Sequence, residues 1–272
     1  MTIEQICAVL VGLFVGHFLN KCIYRLPRDL SPFSAHSVCP HCSTEIAWFD
    51  SIPVVSYLAL RGRCRKCATR IAVRYLLVEL LTPALFVYYV SIFGATPHAL
   101  KYCIFSAILI TLTFTGLEEL MLPDEFTLGG AALGLILSWF VAPDGSESSG
   151  WAGLASSFSG ALLPSVGLWL VNELHGRIRR REGLGFGDVK TLAMIGSFIG
   201  LGGAVLTMVV GFALGLVVGI TPIVLARKDA STFELATGPI WSIAVLVAVA
   251  ITPIRTLWVG MNAWWAALIG HF

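Results

Sequence analysis

Apolar residues along this chain gather into long runs that are separated by short polar stretches. The first run covers residues 3–23, and a polar segment, 24–75, follows it. A run of about twenty apolar residues matches the hydrocarbon thickness of a bilayer, so each run predicts a membrane-spanning helix. After the polar segment, further spans are predicted at 76–95, 102–120, 126–142, 151–172, 189–203, 205–226 and 238–254. The pattern therefore predicts about eight transmembrane helices.

The two ends of the chain need separate interpretation. The first apolar run has no basic segment before it and no small-residue cleavage site after it, so we interpret it as a retained span. A last apolar piece, 256–270, is rich in Trp and is either interfacial or part of a ninth crossing.

Composition agrees with a membrane protein. The chain has 272 residues, of which 57% are hydrophobic and 12% are charged, whereas a soluble domain has roughly 25% charged residues. The predicted fold class is an all-α, polytopic membrane helix bundle. We divide it into a first transmembrane helix, 1–23, a polar loop domain, 24–75, and a transmembrane core, 76–272.

Positive charges are distributed unevenly among the connecting segments. Fourteen Lys and Arg residues fall in segment 24–75, in the loop 173–187 and near 227, against two, Lys101 and Arg255, in the alternate connectors. Cytoplasmic loops carry an excess of Lys and Arg, so the large polar segment is predicted to be cytoplasmic. The net charge of +2 gives no indication of nucleic-acid binding.

The polar segment contains two C-x-x-C pairs that are separated by 21 residues: Cys39, Cys42, Cys64 and Cys67. Two such pairs can present four thiolates tetrahedrally to Zn²⁺. Disulfides or a redox role are the alternatives, but a reducing cytoplasmic location argues against them. A site with four cysteine ligands is closed, so the predicted zinc ion is structural and stabilises the loop.

Asp188 is the leading candidate for a functional acid. It follows glycines at 183, 185 and 187 and opens the apolar run that resumes at Thr191. An ionisable group at membrane depth is a functional candidate by default. The alternative is a helix N-cap, since an aspartate at a helix start satisfies free backbone N–H groups.

Five other polar residues near predicted span ends are weaker candidates. Asp124 follows Pro123 and is interpreted as an N-cap, and Glu118 and Glu119 as a solvated face. Glu79 lies deeper, with pairing to a loop arginine as the alternative to a functional role. His17 is interpreted as a packed, hydrogen-bonded residue rather than a ligand or proton carrier.

A series of short motifs occurs in order from about residue 10 to residue 240. They are Gly16-x-Phe18-Leu19-Asn20, Tyr24-Arg25-Leu26-Pro27, the two C-x-x-C pairs, Ile52-Pro53-x-x-Ser56-Tyr57-Leu58, Arg74-Tyr75-x-x-Val78-Glu79-Leu80, Leu122-Pro123-Asp124, Gly185-x-Gly187-Asp188-x-Lys190 and Gly238-Pro239. Together these motifs resemble the type IV prepilin peptidases, which are bifunctional leader peptidases and N-methyltransferases. Their order and spacing make the resemblance specific.

The resemblance implies a membrane-embedded aspartic endopeptidase of the GxGD type, in which two aspartates activate a water molecule. It implies cleavage of prepilin or pseudopilin leaders after Gly at the cytoplasmic face of the bacterial inner membrane. It also implies S-adenosylmethionine as the cofactor that methylates the new N-terminal residue. Asp188 matches the second catalytic aspartate. The residues that would bind S-adenosylmethionine and the oligomeric state do not follow from the sequence.

The chain departs from the family at the first catalytic aspartate. In the family this residue lies eight positions before the Asp of Leu-Pro-Asp, and here that position is Gly116. Close helix packing is the alternative reason for a glycine there. Glu119 is on the same helix face as Gly116 but about 4.5 Å further along. We therefore expect little or no peptidase activity. A milder departure is His17, where the family usually has Ser.

Two other functions remain open on the sequence alone. One is a pseudoenzyme that binds leaders, or a homologue that only transfers methyl groups. The other is a zinc-stabilised membrane transporter or assembly scaffold in which Asp188 pairs with an arginine. A transporter is expected to carry several ionisable groups along a path through the bilayer, and here the carboxylates gather on one face.

Overall fold

The computed structural model describes residues 2–33, 39, 41–119, 122–143, 150–179, 185–226, 240, 241 and 243–245. In this part of the chain the regular secondary structure is helical, and the segment with the four cysteines consists mostly of turns and irregular backbone, with an isolated β-bridge between Arg63 and Arg70. The α-helices are α1 (Ile3–Arg25), α2 (Val55–Ala59), α3 (Val73–Phe93), α4 (Pro97–Glu119), α5 (Asp124–Phe140), α6 (Trp151–Arg179) and α7 (Phe186–Ala226). The predicted all-α class is confirmed.

The predicted spans correspond to helices with shifts of a few residues at their ends. Among the described residues, five helices are long and apolar enough to cross a membrane: α1, α3, α4, α6 and α7. Helix α5 has 17 residues, or about 25 Å of rise, which is short for a crossing. Predicted segment 238–254 is described at only five helical positions and 256–270 lies outside the described residues, so eight spans stay a prediction.

Helix α7 is interrupted where the sequence predicts a connector. It has 41 residues, and Gly200 within it has φ 72° and ψ −175°, which are not helical values. Glycine adopts a positive φ at little cost because it has no Cβ. The predicted break at 201–204 is therefore present, slightly earlier along the chain than expected.

The chain divides into two compact units, Met1–Thr115 and Gly116–Phe272. In the first unit α1 packs along α3 through small residues. A Cβ on Gly12 would lie 2.5 Å from Cα of Pro83, and one on Gly16 would lie 3.1 Å from Cα of Glu79. Glycines thus allow the two backbones to approach closely.

In the second unit α7 packs against both α6 and α5. The backbones of Gly160 in α6 and Gly196 in α7 are in direct contact. The hydroxyl of Ser138 in α5 donates to the carbonyl of Ser197 in α7 at 3.2 Å. These contacts fix the first half of α7, which carries Asp188. The three-part division at residues 23 and 75 stays a prediction.

Candidate functional site

The two C-x-x-C pairs form knuckles with the same hydrogen-bond pattern. In each, the amide of the first cysteine donates to a carbonyl five residues later, and its carbonyl accepts from an amide four residues later. The distances are 3.0 Å (Cys39 to Thr44), 2.9 Å (Ser43 to Cys39), 2.9 Å (Cys64 to Thr69) and 3.0 Å (Ala68 to Cys64). The backbone thus folds the two short segments into loops of the same shape, each of which carries a pair of cysteines.

The four sulfur atoms converge. All lie within 4.8 Å of one another, and Sγ of Cys39 is 3.8 Å from Sγ of Cys67. A tetrahedral zinc ion with Zn–S bonds of about 2.3 Å needs sulfurs about 3.8 Å apart. All four are free thiols, so the described structure contains no disulfide among them. The donor set and its spacing fit zinc.

Hydrogen bonds lower the thiol pKa of Cys67 and Cys42, which favours the thiolate form that a metal requires. The pKa of Cys39 is raised instead, because its backbone hydrogen bonds are outweighed by burial and the neighbouring thiols. The side-chain hydrogen bond between Thr69 and Cys67 is the main reason that the pKa of Cys67 is lowered to about 6. The side chain of Thr44 likewise lowers the pKa of Cys42. A lowered thiol pKa increases the thiolate fraction at neutral pH, which favours metal binding.

An exposed ion pair braces the loop between the knuckles. Arg65 donates from Nε to Oδ2 of Asp50 at 2.8 Å and from Nη2 to Oδ1 at 2.6 Å. This two-point geometry holds the pKa of the Asp50 carboxyl below its usual value, chiefly through the hydrogen bond from Arg65. The second knuckle is thereby tied to the segment that precedes α2.

Glu79 joins three parts of the first unit. Its Oε1 lies 3.3 Å from Nδ1 of His17 in α1, and its Oε2 accepts from the backbone N–H of Val54 at 2.7 Å. Glu79 is 7% exposed. Neither contact is the loop arginine that we considered as its partner. His17 is hydrogen-bonded, as expected for a packed histidine.

The contact with Val54 stabilises an unusual backbone. Val54 has φ 62°, a left-handed value that is an outlier for a β-branched residue. Such strain persists only where surrounding contacts determine the conformation, and the hydrogen bond from this amide to Glu79 is one of them. The sequence offered no signal for this turn, since neither glycine nor asparagine occupies it.

Asp188 is in the first turn of α7, and its side chain is 3% exposed. Its amide donates to the carbonyl of Gly185 at 3.0 Å. A Cβ on Gly187 would lie 3.1 Å from Cδ1 of Leu122, so the glycine allows the loop before α5 to pack against the start of α7. The Gly-x-Gly-Asp motif therefore places a buried carboxylate at a helix N-terminus, where the helix dipole favours negative charge.

The predicted capping role of Asp124 is wrong. Pro123 is the N-cap of α5, Asp124 is the first helical residue, and no side chain caps this end. The carboxylate of Asp124 instead accepts from Nζ of Lys190 at 2.6 Å. Proline leaves no backbone donor and fixes φ near its helical value, so the helix begins one residue earlier than a capping aspartate would allow.

Gly116 and the two glutamates that follow it lie at the end of α4. Gly116 is buried, Glu118 is exposed and Glu119 is half-buried. The α4 helix ends at Glu119, so Gly116 is in its last turn, as Asp188 is in the first turn of α7. Pairing of these two positions stays a prediction.

Family comparisons cover both halves of the chain. Residues 10–93 match the bacterial peptidase A24 N-terminal domain, and residues 103–220 match the type IV leader peptidase family. No solved structure matches the chain significantly.

Individual relatives are similar over most of their length. A prepilin leader peptidase/N-methyltransferase from Pseudomonas putida is 33% identical, over 89% of this chain and 88% of the relative. Its counterpart from Neisseria gonorrhoeae is 33% identical, over 95% and 93%. A type 4 prepilin-like proteins leader peptide-processing enzyme from Escherichia coli is 34% identical, over 72% and 77%.

Proposed function

The chain belongs to the type IV leader peptidase family, and from that premise we propose that it processes type IV prepilins or pseudopilins. The family function is that of a prepilin leader peptidase and N-methyltransferase. We further propose that the loop with the four cysteines and the start of α7 face the cytoplasm of a bacterium with this chain in its inner membrane. The excess of Lys and Arg in these connectors supports that orientation.

The burial of Asp188 is the observation that carries the proposed chemistry. Asp188 is 3% exposed at the start of an apolar helix, and an ionisable group at membrane depth is a functional-site candidate because it is costly to bury. In an aspartic peptidase two nearby carboxyls share a proton. One removes a proton from water while the other donates a hydrogen bond or proton to the substrate carbonyl. Asp188 would supply one half of that pair.

Gly116 stands where the resemblance expects the other half. A glycine has no side chain to hold a proton, so the water would lack either its base or its acid. Glu119 is three residues further along α4, and its rise of about 4.5 Å displaces it too far to replace an acid at position 116. We therefore propose that this chain binds prepilin leaders but has little or no peptidase activity.

The experiment is a cleavage assay on a purified prepilin with a Gly-Phe junction. We expect Gly116→Asp to raise the rate by about 10²- to 10⁴-fold, the usual contribution of general acid–base catalysis. Gly129→Asp is the matched control, because position 129 on α5 has open space around it and gains the same carboxylate. Asp188→Asn in the Gly116→Asp background is expected to abolish the gain.

Two results would contradict this assignment. One is cleavage by the unmodified chain at the rate of the Gly116→Asp variant. The other is cleavage that survives Asp188→Asn. Glu119→Gln in the unmodified chain tests whether Glu119 replaces the missing acid, since it reduces a residual cleavage rate only if Glu119 takes part in the chemistry.

Methyl transfer is the activity that the missing aspartate leaves intact in this proposal. S-adenosylmethionine would supply the methyl group, and the residues that bind it are unassigned. A processed pilin with a free N-terminal Phe, incubated with labelled S-adenosylmethionine, tests the activity directly. Labelling without cleavage identifies a methyltransferase-only homologue, and binding without either reaction identifies a pseudoenzyme.

The four cysteines are proposed to hold one structural zinc ion, for which the convergence and spacing of the four sulfur atoms are the support. With all four positions taken by protein sulfur, such a site has no open position for substrate. A transporter or scaffold is the less favoured alternative, because the family match covers both the cysteine loop and the core.

A further inference from the structure

Part of the segment between the two knuckles lies alongside α1 and α3, at a level that is inside the ends of these helices. The amide of Val54 bonds to Glu79, which lies six residues after the first residue of α3, Val73. That separation is about 9 Å along the helix. Gly16, at the same level on α1, lies nine residues before the end of α1 at Arg25, or about 13 Å. Val54 therefore lies beside the membrane helices and not beyond them.

The side chains around Val54 are apolar and exposed. Ile52 is 41% exposed, Val55 is 60% exposed and Leu58 is 63% exposed. Val55 and Leu58 are three residues apart on α2, so they share one face of that helix. Residues 51–60 contain no charged side chain. A charge-free segment with an exposed apolar face, held at this depth, is suited to contact with lipid acyl chains.

A pair of arginines adjoins this apolar face. Arg63 and Arg70 are opposite each other in an isolated antiparallel bridge, and both are exposed. Like charges directly opposite each other are destabilising. Within the described residues neither guanidinium has a carboxylate partner, and the nearby Asp50 is engaged by Arg65. The pair therefore concentrates positive charge that no carboxylate of the described residues neutralises.

The apolar face and the arginine pair are connected by short hydrogen bonds. The amide of Arg61 donates to the carbonyl of Leu58 at 3.1 Å, and the amide of Ile71 donates to the carbonyl of Gly62 at 2.7 Å. The hydroxyl of Tyr57 donates to the carbonyl of Ile71 at 3.3 Å. The turn that ends α2 thus passes directly into the bridge, so the arginine pair and the apolar face lie on directly connected parts of the cysteine loop.

We propose that the apolar face and the arginine pair form one surface, which binds an anionic phospholipid of the adjacent leaflet. The acyl chains contact Ile52, Val55 and Leu58, and the phosphate lies between Arg63 and Arg70. Two properties of the surface favour this occupant. Its level along the membrane helices, beside Glu79, excludes a soluble acidic partner, and the positive charge of the two arginines repels a basic leader peptide. The surface belongs to the first unit of the chain and Asp188 to the second, and the inference is independent of peptidase activity.

The test places a photo-crosslinking amino acid, benzoylphenylalanine, at position 58 of the full chain. The protein is reconstituted in nanodiscs of phosphatidylcholine with a minor fraction of phosphatidylglycerol. After irradiation, mass spectrometry identifies the molecule joined to this position. The same probe at Glu45, an exposed polar residue of the loop, is the control. We expect a lipid adduct at position 58 and none at position 45.

Headgroup preference is read from the composition of the adduct. The electrostatic attraction of one basic residue to an anionic membrane surface is enough to concentrate an anionic lipid about fivefold. We therefore expect the fraction of phosphatidylglycerol in the adduct to be well above its fraction in the disc. Arg63→Gln/Arg70→Gln is expected to remove this enrichment, and Arg63→Lys/Arg70→Lys, which keeps both charges, is expected to retain most of it. Zinc content is measured for each variant to verify that the knuckles are folded.

Other occupants of the surface give distinct products. A crosslink from position 58 to another segment of the same chain, or to an added prepilin, would overturn the proposal. A lipid adduct without phosphatidylglycerol enrichment in the unmodified arginine background would overturn the anion site. Enrichment that persists in Arg63→Gln/Arg70→Gln, with zinc content unchanged, would do the same.

Discussion

Nζ of Lys190 lies 2.6 Å from Oδ1 of Asp124, so one ion pair joins the start of α7 to the start of α5. The two residues belong to separate motifs that are 66 positions apart. Lys190 also lies over the ring of Phe186, at 5.3 Å from its centroid. The pair therefore helps to fix the turn of α7 that carries Asp188.

We expect Lys190→Met to lower cleavage by the Gly116→Asp variant about fivefold. The Asp124 side chain is 58% exposed, and exposed pairs contribute at most about 1 kcal/mol. Asp124→Asn should have the same effect, and the double variant should be no worse than either single one. A double-mutant cycle on kcat measures this coupling. Arg177→Met, which breaks the exposed pair with Glu173 on α6, is the control. An equal loss of cleavage rate in this control would show that the pair between Lys190 and Asp124 has no specific role at the site.

Zinc binding is expected to depend on the four-cysteine cluster. We expect about one zinc ion per purified chain by elemental analysis, and near-complete loss after Cys39→Ser and dialysis against a chelator. Cys7→Ser is the matched control, because Cys7 lies on an exposed part of α1, outside the cluster. If Cys39→Ser retains as much zinc as Cys7→Ser does, the four-cysteine zinc site is excluded.

Glu79→Ala is expected to lower the free energy of unfolding by about 1–3 kcal/mol. The change leaves the amide of Val54 without its acceptor, and an unsatisfied buried donor costs this amount. Glu79→Gln retains an acceptor oxygen and should be milder. Thermal unfolding in detergent measures the effect, with Glu45→Ala, at an exposed position, as the control. Equal melting temperatures for Glu79→Ala and Glu45→Ala would show that the contact contributes nothing.

The helices were predictable from sequence because their signal is local. Apolar runs of membrane-span length identified α1, α3, α4 and α6, and the interruption of α7 was expected within a few residues of Gly200. Their exact ends were not predictable, since polar residues such as Arg179 extend a helix beyond the apolar run. The cysteine cluster was predictable for a similar reason, because each C-x-x-C pair forms its own knuckle.

The polar contacts between distant segments were not predictable. The partners of Glu79 are a histidine on another helix and a backbone amide, and no sequence pattern encodes a backbone donor. The role of Asp124 was misjudged because its sequence context, after a proline, fits both a cap and the first helical residue. A lysine 66 positions away decides between them. Such pairings depend on tertiary packing, which short-range propensity does not contain.

The two matching knuckles have a consequence for how the loop acquires its metal. The segment from Arg25 to Val73 is tethered at both ends, because α1 and α3 pack along each other. Much of the entropy of closing the loop is therefore lost when the two helices pair, before any metal binds. The metal then has only to bring together two preformed turns. Zinc affinity in the intact chain should accordingly exceed that of a free peptide with the same loop sequence.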